Sequence, residues 1–145
     1  MVSKVDEADP REVQALQTYL QEYGQQAEVL SRQLEFMERQ RMESLAAIDA
    51  LKALAAETEG VILVPMGGGT TLRARIIDPD NVLVNIGADV VIRRKNEEAI
   101  GFIEDRVKEL ESLEKRVSDS LDQVRGQINE LARRIDQAYR KAQAR

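Results

Sequence analysis

The sequence predicts a mainly α chain with a small all-β module: a long antiparallel coiled-coil hairpin whose two helices are joined by two β-hairpins. Three observations carry this. Apolar residues recur at spacings of three and four over residues 13–55 and again over 103–142. Between them, VILVPMGGGTTLRARIIDPDNVLVNIGADVVIR (61–93) holds four short Val-, Ile- and Leu-rich runs separated by turn residues. With 32% charged and 3% aromatic residues, no Trp and no His, the composition suits long helices better than a large core on aromatic anchors. The expected organisation is a single 145-residue unit: a coiled-coil helix over 10–59, the two β-hairpins over 61–93, and a second coiled-coil helix over 96–143.

Residues 1–8 are polar and aperiodic, and fraying is expected there. The first helix opens at Asp9-Pro10, with Asp9 as N-cap, Pro10 at the first helical position and Glu12 as a capping-box acid. Its seam runs Val13, Leu16, Leu20, Tyr23, Ala27, Leu30, Leu34, Met37, which is the narrow heptad pattern of a coiled coil. A slip of register is expected near Arg41 to Ser44, after which Leu45, Ile48, Leu51 and Ala55 resume the seam. Gly60 is expected to cap the helix in the left-handed region, although Glu57 and Glu59 oppose the macrodipole there.

In the β segment the strands are expected at 61–64, 72–77, 82–86 and 90–93. Leu72, Ala74 and Ile76 alternate with Thr71, Arg73 and Arg75, the period that gives one apolar and one wet face. Gly67, Gly68 and Gly69 suit the first connection because glycine takes positive φ without a Cβ clash. Asp78-Pro79-Asp80-Asn81 fits a type I turn, and Gly87-Ala88 serves the last connection. Two hairpins of this size do not bury their own apolar face, and their free edges are templates for pairing, so the missing strands are expected from other chains. The residues expected at that oligomer interface are Val61, Leu63, Leu72, Ile76, Leu83, Ile86, Val90 and Ile92.

Asn96 is the expected N-cap of the second helix, with Glu97 and Glu98 in its first turn. Its seam runs Ile103, Val107, Leu110, Val117, Leu121, Val124, Ile128, Leu131, Ile135 and Ala142, with Glu114 in one seam position beside Leu113. Gly101 and Gly126 each cost roughly 1 kcal/mol relative to Ala. The two helices match in length, roughly 70 Å at ~1.5 Å per residue, and a compact β module between them favours antiparallel pairing. Charge agrees: residues 1–23 hold two bases and five acids, residues 124–145 six bases and two acids.

Other chemistries find no support in the pattern. The chain has no Cys and no His, which removes disulfides, thiolate or imidazole zinc sites, and Cys/His nucleophile pairs. Gly67-Gly68-Gly69-Thr70-Thr71 leads into a strand and lacks the Gly-Lys-Ser/Thr of a phosphate loop. Asp78, Asp80 and Asn81 lack the rest of a calcium loop and read as a turn. Ser31, Ser44, Ser112, Ser118 and Ser120 sit in helical runs without a base, so no catalytic residue, cofactor or metal is expected. No run approaches the roughly 18 apolar residues of a membrane span, the N-terminus lacks a signal-peptide core, and a cytoplasmic protein is expected. A net charge of -5 argues against nucleic-acid binding; the basic end at Arg133, Arg134, Arg140, Lys141 and Arg145 would lie beside Asp6, Glu7, Asp9 and Glu12.

Heptad helices of matched length flanking Val64-Pro65-Met66-Gly67-Gly68-Gly69 and Val82-Leu83-Val84-Asn85-Ile86-Gly87 resemble the alpha-class subunit of prefoldin over essentially the whole chain, in an archaeal-type form. The resemblance implies a hexamer of two alpha-class and four beta-class subunits whose hairpins complete intersubunit β-barrels. It implies a nucleotide-independent chaperone whose coiled-coil tips capture unfolded polypeptides and pass them to a group II chaperonin. On that reading the fraying tips would show clients Leu16, Leu20, Ile128, Leu131, Ile135 and Tyr139. The alternative is a structural tether oligomerised through its hairpins, with these residues closed in the seam.

Overall fold

The computed structural model describes residues 10–57 and 59–144. Its elements are α1 (Pro10–Ala56), β1 (Val61–Gly67), β2 (Thr70–Arg75), β3 (Val82–Gly87), β4 (Val90–Arg94) and α2 (Asn96–Gln143). The described residues fall into two units, one holding α1 up to Met37 with α2 from Leu113, the other Glu38–Ser112. Asp9, with its expected cap, lies outside the described residues.

In the first unit every expected seam residue of α1 from Val13 to Met37 is buried or half-buried, and so are Val117, Leu121, Val124, Ile128, Leu131 and Ile135 of α2. Glu114 takes its seam position half-buried, leaving Leu113 exposed. The segments run antiparallel, since Gln17 near the start of α1 reaches Tyr139 near the end of α2.

The second unit corrects three expectations about the helices. No register slip occurs: Arg41, Ser44, Ile48 and Leu51 continue the spacing of three and four without interruption, and Leu45 is exposed. An arginine packs its long aliphatic stem along a seam, so a charged residue at 41 does not displace the backbone. The seam ends on half-buried Leu54, with Ala55 exposed. α1 stops at Ala56, three residues before the expected end. Gly60 has φ +67 but lies beyond the cap, where its C=O accepts the Ile76 N–H at 2.8 Å. Gly60 therefore opens the β segment and does not close the helix; a Cβ there would sit 3.2 Å from the Ile76 oxygen.

Each hairpin is a separate two-stranded antiparallel sheet. In the first, Leu63 pairs with Arg73 and Val64 with Leu72; in the second, Leu83 pairs with Arg93 and Val84 with Ile92. Adding twenty to each residue number converts the first ladder from Ile62↔Ala74 onward into the second, including the irregularity before Gly67 and Gly87 and the closing pairs Gly67↔Thr70 and Gly87↔Val90, while Val61↔Arg75 has no counterpart. The turns match too: Gly68 and Gly69 have φ +58 and +77, Ala88 and Asp89 +52 and +61. The last connection is thus Ala88-Asp89, and Gly87 closes β3. A two-residue turn with both φ positive suits the twist of a hairpin, which is why the backbone takes it even without glycine. Between the hairpins, Asn81 N–H donates to the Asp78 C=O at 3.2 Å and Asp80 N–H to the Asp78 carboxylate at 3.1 Å, as expected of that turn.

Candidate functional site

The hairpins expose most of their apolar side chains. Of the residues expected at an interface, Leu63 (67% exposed), Leu72, Leu83 (64%), Ile86 and Val90 are open to solvent, while Val61, Ile76 and Ile92 are half-buried. Register divides this set between two faces, because cross-strand partners share a face and neighbours along a strand alternate. Val61 and Leu63 lie opposite Arg75 and Arg73, and Leu83 opposite Arg93; Leu72 lies opposite Val64, and Ile92 opposite Val84. Sequence reasoning missed Met66, Ile77 and Val91, all exposed. Ile77 lies beyond the end of β2 at Arg75, and Met66 sits in the bulge before Gly67. Val84, not singled out from sequence, is buried. Each two-stranded sheet thus has exposed Leu, Ile or Val beside its strand edges.

Four side chains make the hydrogen bonds that brace the second unit. Asn96 is the first residue of α2 and is 5% exposed. Its side chain does not cap its own helix as expected: Nδ2 donates to the Leu51 C=O at 3.1 Å, and its backbone N–H donates to the Asp80 carboxylate at 3.2 Å. The Lys95 C=O accepts the first helical bond, from Ala99 N–H. Asp80 thus supplies the acceptor that an N-cap normally supplies from within the helix. Arg106 of α2 donates to the Asn85 C=O at 2.8 Å while its guanidinium lies 5.0 Å from the Phe102 ring centroid. The Asn85 side chain accepts the Gly87 N–H at 2.9 Å, bracing the bulge.

At the helix ends of the first unit, the six residues expected to meet clients differ in exposure. Leu16 and Leu131 are buried, Leu20, Ile128 and Ile135 half-buried, and Tyr139 is half exposed with its hydroxyl accepting from Gln17 Nε2 at 3.2 Å. A shallow groove of about 460 Å³ lies between Pro10, Val13, Gln14 and Gln17 on α1 and Ala138, Tyr139 and Ala142 on α2. The basic end is partly neutralised: Arg133 binds Glu130 through two nitrogens at 3.1 and 2.6 Å, and Arg140 binds Asp136 at 3.1 Å. The Arg133 hydrogen bonds hold the Glu130 carboxyl below its usual range and, reciprocally, raise Arg133. Arg145 lies outside the described residues, as do Asp6 and Glu7. Among the described residues there is no group of three or more acidic, His or Cys side chains placed to hold a metal ion, and no helix long and apolar enough to cross a membrane.

A family model described as Prefoldin subunit matches residues 23–141. "Prefoldin subunit alpha" of Methanoculleus marisnigri is 51% identical over 138 residues, covering 95% of this chain and 93% of its own. Among solved structures, a chain of the filamentous PFD of Methanocaldococcus jannaschii superposes with a TM-score of 0.67 at 23% identity, over 79% of this chain and 96% of that one. The prefoldin beta subunit of a Thermococcus strain superposes at 0.63 and 17%, over 90% and 93%. At those identities the two structures speak for the fold.

Proposed function

The chain belongs to the prefoldin family, and from that premise we propose that it serves as the alpha-class subunit of a cytoplasmic chaperone complex, two alpha with four beta. In this reading the hairpins assemble with beta-class subunits, and the ends of the helices hold unfolded polypeptides for a group II chaperonin. The work is done by surface and geometry, without nucleotide, metal or bond chemistry. The observation that carries the proposal is the pair of self-contained hairpins whose Leu63, Leu72, Leu83 and Ile86 remain exposed. Helices joined to such an adhesive base can be gathered several to a complex, where weak contacts with one client multiply through effective concentration.

The tether reading draws support from the burial of Leu16 and Leu131 in the seam, so the test must separate holding from mere assembly. Deleting residues 1–20 together with 129–145 leaves the hairpins intact. The expected outcome is a complex with the beta-class partner that retains its subunit stoichiometry but has lost most suppression of aggregation of unrelated denatured proteins. A truncated complex that protects them as well as the full-length one refutes client holding at the ends.

A further inference from the structure

Two residues fix the phase of the first ladder. Pro65 pairs with Thr71 but has no N–H to give it, so in that pair the backbone groups point away from the partner strand. Ile76 N–H donates to the Gly60 C=O at 2.8 Å, which puts the even-numbered residues of the ladder in the bonded phase. Val61, Leu63 and Pro65 therefore turn their backbone groups toward the free edge of β1. The twenty-residue offset places Asn85 where Pro65 stands, so its N–H and C=O face the free edge of β3, as do those of Leu83.

Both free edges are obstructed at this one position, by different means. On β1, Pro65 offers an incoming strand no donor. On β3, the Asn85 C=O is already held by Arg106 Nη2 at 2.8 Å, and the same guanidinium lies 5.0 Å from the Phe102 ring centroid, one turn back along α2. Proline and covering side chains are the usual means of closing a strand edge to further pairing. Leu63 and Leu83, the next outward residues on the two edges, carry both N–H and C=O, and their side chains are 67% and 64% exposed.

We propose that Pro65 and Arg106 are register stops for strand addition: a strand of the beta-class partner's hairpin pairs with β1 as far as Leu63 and with β3 as far as Leu83, and no further. The inference rests on assembly through the hairpins and adds the extent and register of the pairing. Register needs such a device because side chains repeat every two residues along a strand. A slip of two keeps every side chain on its face, and apolar patterning alone does not forbid it. A strand slipped by two toward either turn meets Pro65, which gives it no hydrogen bond, or has to displace Arg106 from Asn85.

The test is residue-resolved amide exchange on the full chain, alone and in complex with a beta-class subunit, for wild type, Arg106→Ala and Arg106→Lys. Arg106 is exposed on α2, where Ala is a good helix former, so the variants keep the fold. In the wild-type complex the Leu63 and Leu83 amides should exchange about tenfold more slowly than in the chain alone, while the Asn85 amide keeps its free-chain rate. Arg106→Ala should add about tenfold protection at Asn85 on assembly, and Arg106→Lys, which retains a cationic donor, should return it toward wild type. Protection of Asn85 in the wild-type complex overturns the proposal, as does an Asn85 rate in the Arg106→Ala complex equal to that of wild type. Protection of Leu63 and Leu83 in the chain alone at raised concentration overturns it too, by making a second copy the occupant. A complex that forms without protecting Leu63 and Leu83 removes this inference and leaves assembly standing, whereas failure of wild type to form any complex removes the proposed function and this inference with it.

Discussion

The Asp80 carboxylate accepts the backbone N–H of Asn96 at 3.2 Å, so the turn between the two hairpins caps the helix that follows them. The Asn96 side chain in turn donates to Leu51 of α1, and one buried residue joins both helices and the β segment. Asn96→Ala should cost about 1–2 kcal/mol, and Asp80→Ala about 1 kcal/mol, in urea unfolding followed by circular dichroism. Wild-type midpoints for both variants would show that the latch contributes nothing.

The continuous seam makes a prediction that a register slip would reverse. Ile48 is buried and Leu45 exposed, so Ile48→Ala should destabilise by about 2–4 kcal/mol and Leu45→Ala by less than about 1 kcal/mol. Comparable losses at the two positions would restore the slip.

The matched turns predict opposite signs for opposite changes. Ala88 has φ +52, and a Cβ on Gly68 at φ +58 meets nothing within 4 Å, so the cost at both is one of backbone conformation. Gly68→Ala should destabilise by about 1 kcal/mol, and Ala88→Gly should stabilise by up to about 1 kcal/mol, in thermal melts.

Assembly should fail when charge enters the exposed strand surface. Leu63→Asp with Leu83→Asp leaves no buried charge within the chain, since both residues are about two-thirds exposed. The double variant is expected to remain helical in far-UV circular dichroism yet to elute apart from its beta-class partner. Co-elution at wild-type mass would move the interface elsewhere.

Acid should affect the end of α2 in a defined direction. Because the Arg133 hydrogen bonds lower the folded-state pKa of Glu130, their support is present above the ordinary glutamate range and is lost as pH falls through the lowered value. The thermal midpoint of Glu130→Gln should therefore lie slightly below wild type at neutral pH and converge with it in strong acid; salt should shrink the gap. A gap that widens in acid contradicts the assignment.

Most of the fold was legible because helical and strand periods are local signals. The seam from Val13 to Met37 follows from spacing, and the apolar runs locate the four strands, although β2 spans Thr70–Arg75 where 72–77 is expected and β1 continues to Gly67 where an end at 64 is expected. What stayed hidden depended on partners distant in sequence. Asn96 looks like a self-capping residue until Asp80 and Leu51 arrive beside it, and Gly60 looks like a helix cap until Ile76 pairs with it. At Arg41 and Ser44 the expected slip does not occur, because the half-buried positions keep their spacing of three and four through them. At the strand surface composition identified the apolar residues but not their faces, which only the pairing of Leu63 with Arg73 and of Leu72 with Val64 reveals.

The twenty-residue offset between the ladders gives the molecule an internal control. Five pairs, from Ile62↔Ala74 to Gly67↔Thr70 and from Val82↔Arg94 to Gly87↔Val90, occur twice in the same chain and the same solvent, with glycine against alanine at 68 and 88, glycine against aspartate at 69 and 89, and proline against asparagine at 65 and 85 among the differences. Amide exchange read from both hairpins in a single sample would therefore compare a left-handed turn made of glycines with one made of residues that carry side chains, with no need to engineer a second protein.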